Sequence, residues 1–96
     1  MGGIVRDGDL CSGHGSHPPR TAETFSSNVF VNGKGVVRLG DTWTLHTDGI
    51  SPHVGVQTSA STTVRANGQG VARIGDSIGG GCASTNAQGS PNVIAG

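Results

Sequence analysis

The chain of 96 residues writes one phrase twice: NVFVNGKGVVRLGD at 28–41 returns as TVRANGQGVARIGD at 63–76. Aligned on their Gly-Asp ends, Asp41 falls on Asp76, and the match runs back through Arg38/Arg73, Gly35/Gly70 and Asn32-Gly33/Asn67-Gly68. A fixed period in this range constrains the fold strongly, because each repeated unit must bury its apolar face against its neighbours. A third Gly-Asp stands at Gly8-Asp9, in VRDGD at 5–9, but no strand and Asn-Gly precede it. The missing half lies at the other end of the chain. There SPNVIAG (90–96) matches SSNVFVNG (26–33), with Asn92-Val93 on Asn28-Val29. One unit divided between two ends describes a closed object in which the last strand pairs with the first and three equivalent units surround an axis. An open stack would instead carry atypical capping repeats at its ends.

Each unit reads as β-structure. Val29, Phe30 and Val31 lead into Asn32-Gly33, a strong two-residue hairpin signal because both turn residues need positive φ, and Val36, Val37 and Arg38 follow. The second unit repeats this with Val64, Asn67-Gly68, Val71 and Ile74. No longer segment has a helical apolar period, and Pro18, Pro19, Pro52 and Pro91 fall in connecting segments. The expected fold is all-β: a small closed cone of short strands with pseudo-threefold symmetry, made of three β-hairpin repeats of which one is split between the termini. It is expected to be a single domain over residues 1–96.

Such a chain has little apolar mass. Hydrophobic residues are 32% of it, with one Trp, two Phe and no Tyr against 18 Gly, so something besides a core is expected to hold it together. Its low charge, 12%, and the clustering of Val and Ile argue against a disordered linker. Arg6, Arg20, Lys34, Arg38, Arg65 and Arg73 are balanced by six acidic residues without any cluster, which speaks against nucleic acid or an anionic membrane as a partner. No apolar run approaches the roughly 20 residues that span a bilayer. The opening MGGIVRDGDLC lacks the apolar centre of a signal peptide, so synthesis and folding in a cytoplasm are expected. In that reducing compartment a Cys11–Cys82 disulfide is disfavoured, and metal ligation is the other use of a thiol.

The segments after the three Gly-Asp pairs support that use. They read LCSGHGSHPPR, TWTLHTDGISPHVG and SIGGGCASTN, and they place His14, His46 and Cys82 five, five and six residues beyond Asp9, Asp41 and Asp76. If the units surround one axis, two imidazoles and one thiolate converge at one end, and a fourth ligand completes the tetrahedral site that zinc favours. His17 and His53 are the two candidates. His53 is preferred, since its long loop can fold back, whereas His17 abuts the stiff Pro18-Pro19. A metal with four protein ligands is structural, its binding free energy appearing as folding free energy in place of a larger core.

Taken together, SSNVFVNGKGVVRLGD, TTVRANGQGVARIGD, the Gly-His of CSGHGSHPPR, GDTWTLH, the Cys after GDSIGGG and the closing GSPNVIAG resemble the PAAR-repeat proteins. These cap the spike of type VI secretion machines and of contractile phage tails. The resemblance spans nearly the whole chain. It implies a cone whose broad base sits on the blunt end of a trimeric β-helical spike protein, one copy per trimer, the tip protein being a monomer by itself. It further implies a zinc ion, in preference to iron, near the sharp end, held by His14, His46 and Cys82 with His53 as the third histidine. The implied role is mechanical: closing and sharpening the spike so that it pierces a target envelope, with the membrane touched only in passing. The protein would then be assembled into a phage tail baseplate, and so into the virion, or secreted at a type VI spike tip. No further domain is expected at Gly96, and this favours the phage tail. Two departures bear on local turns: Pro-Ala-Ala-Arg is present only as Gly35-Val36-Val37-Arg38 and Gly70-Val71-Ala72-Arg73, and SASTTV replaces the usual Gly-Ser-Pro.

Two other functions fit less well. A zinc hydrolase using His14, His46 and His53 would need a general base, and Asp48 and Glu23 are poorly spaced for it, while Cys82 would close the open metal position. An adhesive module would need aromatic residues for stacking, and the single Trp43 is expected to pack beneath a loop instead. NGKGVV lacks the spacing and the following helix of a phosphate loop.

Overall fold

The computed structural model describes residues 2–13, 19–44, 55–79 and 84–96. Among these there is no helix, and nine strands of two or three residues alternate with turns and single bridges. The all-β expectation holds.

Three hairpin pairings form the first tier. β2 (Phe30–Val31) pairs with β3 (Lys34–Gly35), β5 (Arg65–Ala66) pairs with β6 (Gln69–Gly70), and β1 (Gly2–Gly3) pairs with β9 (Ile94–Ala95), all antiparallel. The third is the divided unit, joined across the chain ends as its sequence implied. In the two continuous hairpins Asn32 and Asn67 both have φ of 54°, followed by Gly33 at 78° and Gly68 at 79°. Asparagine tolerates this left-handed conformation because its short polar side chain can be satisfied locally, and both side chains are (below).

The strands are short because each changes partner. After two residues beside its own hairpin mate, a chain segment passes to a neighbouring unit. Thus Val36 bridges Arg6, Val71 bridges Arg38 and Ile4 bridges Arg73. At the crossing the backbone bonds form a cycle: Val5 N–H donates to Ala72 C=O, Ala72 N–H to Val37 C=O, and Val37 N–H to Val5 C=O, at 2.9, 2.8 and 3.0 Å. The three side chains at this crossing, Val5, Val37 and Ala72, are fully buried.

Beyond the crossing the chain forms a second tier of six short segments: 10–12, 20–22, 42–44, 55–57, 77–79 and 84–86. Each is hydrogen-bonded to the next in that order. The bridges Leu10↔Thr21, Ala22↔Trp43 and Thr42↔Val56 lead to β4 (Val56–Gln57), which pairs with β7 (Ser77–Gly79); β7 pairs with β8 (Ser84–Thr85), and Asn86 bridges back to Cys11. All these pairs are antiparallel, so the ring has no free edge among the described residues.

The interior follows the tiers. Ile4, Val36, Ala66, Val71 and Ala95 cluster in the hairpin tier, with Val29 and Val31 against them. Cys11, Ala22, Trp43 and Ile78 fill the ring and pack on Val5, Val37 and Ala72. Trp43 is 2% exposed and donates its Nε1–H to Gln57 Oε1 at 3.1 Å, so the one large aromatic group is the centre of the ring and its polar handle is satisfied. Cys11 is free and belongs to this core, accepting the Arg20 N–H on Sγ at 3.2 Å.

Backbone proximity decides another residue type. In each unit a loop segment crosses the hairpin, and a Cβ at Gly35, Gly70 or Gly3 would run into the carbonyl oxygen of Ser26, Ser61 or Ser90. Only glycine leaves room for that crossing.

Candidate functional site

Three polar devices recur, once per unit, and they position both ends of the molecule. The first lies in the turn that carries the Gly-Asp. Arg6, Arg38 and Arg73 each donate a backbone N–H and Nε–H to Oδ2 of the aspartate three residues on (Asp9, Asp41, Asp76), and NH2 to its Oδ1, all between 2.7 and 3.0 Å. The intervening glycines have φ of 91°, 88° and 92°. Each aspartate is buried and saturated with donors, which is the geometry in which an ion pair is specific and costly to halve. The hydrogen bonds that the guanidinium groups donate to aspartate raise all three arginine pKa values, with burial opposing and direct charge attraction adding. Stabilisation from a raised arginine is complete below its ordinary value and is lost only as pH climbs through the raised one, so the arginine contribution to these clips is constant between neutral and mildly alkaline pH.

The second device ties the units together. Asn32 Oδ1 accepts from Arg6 NH1 and Ser90 Oγ, and its Nδ2 donates to Asn92 Oδ1. Asn67 repeats this with Arg38, Ser26 and Asn28. In the third place, the backbone oxygen of Gly96 accepts from Ser61 and Thr63 hydroxyls where an asparagine side chain would stand. The turn asparagines thus latch one hairpin onto the next. Each latching serine also caps the backbone N–H groups two and three residues beyond it.

The third device launches the ring. Thr42, Ser77 and Leu10, the residues after the three Gly-Asp pairs, donate their N–H groups to the side chains of Thr24, Ser59 and Gln88. From there the ring segments run toward three connections, whose middles are residues 14–18, 45–54 and 80–83. Because the ring alternates direction, all three connections leave from its same end. Their roots are bonded together around it: Ser12 to Thr85, Thr44 to Thr21, and Val56 in register with Gly79.

His14, His46, His53 and Cys82, the proposed ligands, and the alternative His17 all lie outside the described residues. Among the described residues no group of His, Cys, Asp or Glu could hold a metal ion. What is described is their attachment: the ring brings together the roots of the three connections that bear them. Donor chemistry of two or three imidazoles and a thiolate suits zinc. Nor is any described helix long and apolar enough to cross a membrane.

Sequence reasoning paired Arg38 with Arg73 and Asp41 with Asp76 but missed the latches. Their signal was available, since extending the same alignment backward puts Ser26, Ser61 and Ser90 in one register and Thr24, Ser59 and Gln88 in another.

A small all-β domain that closes its first strand on its last and carries the same arginine–aspartate clip three times defines a repeat protein turned back on itself. The PAAR motif family matches residues 12–85, and the chain belongs to that family. The motif is found in spike-tip proteins of contractile injection systems, in phage tails and type VI secretion machinery, a structural and not an enzymatic family. No curated protein matches the sequence.

Proposed function

We propose that this chain is a spike-tip protein that caps the blunt end of a trimeric β-helical spike, one copy per trimer, and gives a contractile injection machine a narrow end with which to pierce an envelope. The observation that carries this reading is the hydrogen-bonded cycle through Val5, Val37 and Ala72, in which one chain offers three similar sides to a threefold partner. Three separate capping chains could not share one axis point, whereas three repeats in one chain can. We read the whole as a cone with a pseudo-threefold axis, its base the hairpin tier and its tip the end where the three connections leave the ring. The latches and clips suit a part that must take load without fraying, since every unit is bonded to both others. Its role is mechanical and not catalytic.

In this reading His14, His46, His53 and Cys82 hold a zinc ion that ties the three connections together. The support is the shared end from which those connections leave, together with the donor set. Replacing His46 by Ala or Cys82 by Ser lowers metal content and melting temperature together; a metal-free variant of unchanged melting temperature refutes the structural role of the metal.

Mixing the chain with the trimeric spike protein of its machine and weighing the complex tests the capping role. One chain per trimer is expected. Three chains per trimer, or no complex, overturns it.

A further inference from the structure

The three sides of the hairpin tier are alike in backbone and different in chemistry. In register across each side stand Phe30, Gly35 and Asp7; Arg65, Gly70 and Leu39; and Ile94, Gly3 and Ile74. The outer positions are open to solvent: Phe30 is 59% exposed, Ile94 55%, Ile74 44% and Leu39 39%, and Asp7 and Arg65 are exposed as well. All the large exposed apolar side chains of the described residues, with Val64 and Val93, belong to this tier, and the ring has none. One side therefore pairs an aromatic group with an anion, one an aliphatic group with a cation, and one is aliphatic throughout. Lys34 adds a cation to the hairpin of Phe30, where Gln69 and Gly2 stand at the matching places of the other two. The arginines of the clips add no free charge, since Arg6, Arg38 and Arg73 are each paired with aspartate.

A homotrimer presents one surface three times. Any charge on that surface would be repeated on all three sides, attracting Arg65 where it repelled Asp7, or the reverse. Like-charge placement and desolvation of an unmatched ion cost more than a rim pair returns. What the three sides share is exposed apolar surface: Phe30 on one, Leu39 on another, Ile94 and Ile74 on the last.

We propose that the surface receiving this tier is the apolar, uncharged threefold face of a homotrimer, with Phe30 and Ile94 as its anchors, and that Asp7 and Arg65 stay at the wet rim. This rests on the spike-tip reading and specifies the chemistry of its partner. Binding is then driven by apolar burial, indifferent to salt, and indifferent to which of the three rotational settings the chain adopts.

The test measures affinity for the trimeric spike protein of the machine with the full chain and with Phe30→Ser, Ile94→Ser, Asp7→Asn and Arg65→Gln, at about 0.05 and about 0.5 M salt, a span over which exposed charges go from long-range to screened. Phe30→Ser and Ile94→Ser each weaken binding by about tenfold or more, as buried anchors do, and Asp7→Asn and Arg65→Gln change it less than about twofold. The free variants keep the parent melting temperature, because the replaced side chains are exposed, so a loss of binding is not a loss of fold. Affinity that falls steeply with salt, or follows either charge variant, overturns the apolar face while leaving the spike-tip reading intact. A parent chain that does not bind the spike overturns both. Self-association of the parent, abolished by Phe30→Ser, shows a second copy of this chain to be the occupant and overturns the proposal as well.

Discussion

The two tiers solve the same closure problem with different materials. The hairpin tier keeps large apolar side chains on its outside and is sewn together by side chains: the asparagine latches, the serine caps and the crossings over Gly3, Gly35 and Gly70. The ring tier has no large exposed apolar residue among those described, and it is sewn by backbone pairs around a core centred on Trp43. In the proposed spike-tip reading, the difference separates their tasks. A surface meant to meet a partner can leave apolar groups uncovered, because the partner completes their burial. An end meant to travel through water and envelope cannot, and must draw its stability from inside.

Of the measurements that test this contrast, removal of the zinc proposed at His14, His46, His53 and Cys82 should have the largest effect. A structural zinc supplies on the order of 10 kcal/mol to the fold that holds it. Stripping it with a strong chelator should raise amide exchange first in the ring segments 10–12, 42–44, 77–79 and 84–86, with the hairpin tier following. Uniform exchange in both tiers would show that the metal does not belong to one end.

Next comes the ring core. Trp43→Ala removes its centre and leaves Gln57 Oε1 without its indole donor, at a cost of about 3–5 kcal/mol in denaturant unfolding. A loss under 1 kcal/mol would mean that the ring does not depend on its core.

The clips join the tiers, and halving one should be nearly as costly. Asp41 accepts from the Arg38 N–H and guanidinium and from the Thr24 hydroxyl, so Asp41→Ala strands a partly buried cation. About 3 kcal/mol is expected, with little relief from changing pH between neutral and mildly alkaline values. The same change at Asp7, which is exposed and in no ion pair among the described residues, should move stability by less than about 0.5 kcal/mol.

Apart from the Asp7 control, the smallest effect tests closure. Ala95 and Gly2 are cross-strand partners as Val31 and Lys34 are, and Gly96 and Met1 are the two residues left to join them, as Asn32 and Gly33 join the others. A permuted chain with Gly96 bonded directly to Met1 and opened between Asn67 and Gly68 should keep its circular dichroism and lose no more than about 1–2 kcal/mol, the order of one hairpin turn and one latch. Failure to fold would show that one of the three hairpins is not interchangeable with the others.

Much of this was legible in the residues. Asn32-Gly33 and Asn67-Gly68 named two hairpins because few other pairs accept positive φ at both places. The aligned halves at 5–9 and 90–96 named the third, whose pairing is observed between Gly2–Gly3 and Ile94–Ala95. Trp43, expected to pack beneath a loop whose residues lie outside those described, is buried at the core of the ring. The reason is the closed ring, which gives its interior to whichever side chain follows the Gly-Asp by two, here Cys11, Trp43 and Ile78. Of the latches the sequence shows only the aligned serines, Ser26, Ser61 and Ser90; which asparagine each one bonds was not legible, because an asparagine in a hairpin turn is explained by its backbone alone and its partners are 26 to 60 residues away.

The repeat, the hairpin turns, the divided third unit and the chemistry of the candidate ligands could be read from the residues, since these depend on residue type and spacing along the chain. The tertiary structure alone decided which unit bonds to which, that a strand changes partner after two residues, that three connections leave one end of a ring, and that the apolar surface left open belongs to the other tier. Those are matters of direction and neighbourhood in space. They follow from closing the backbone on itself, and no local pattern of side chains records them.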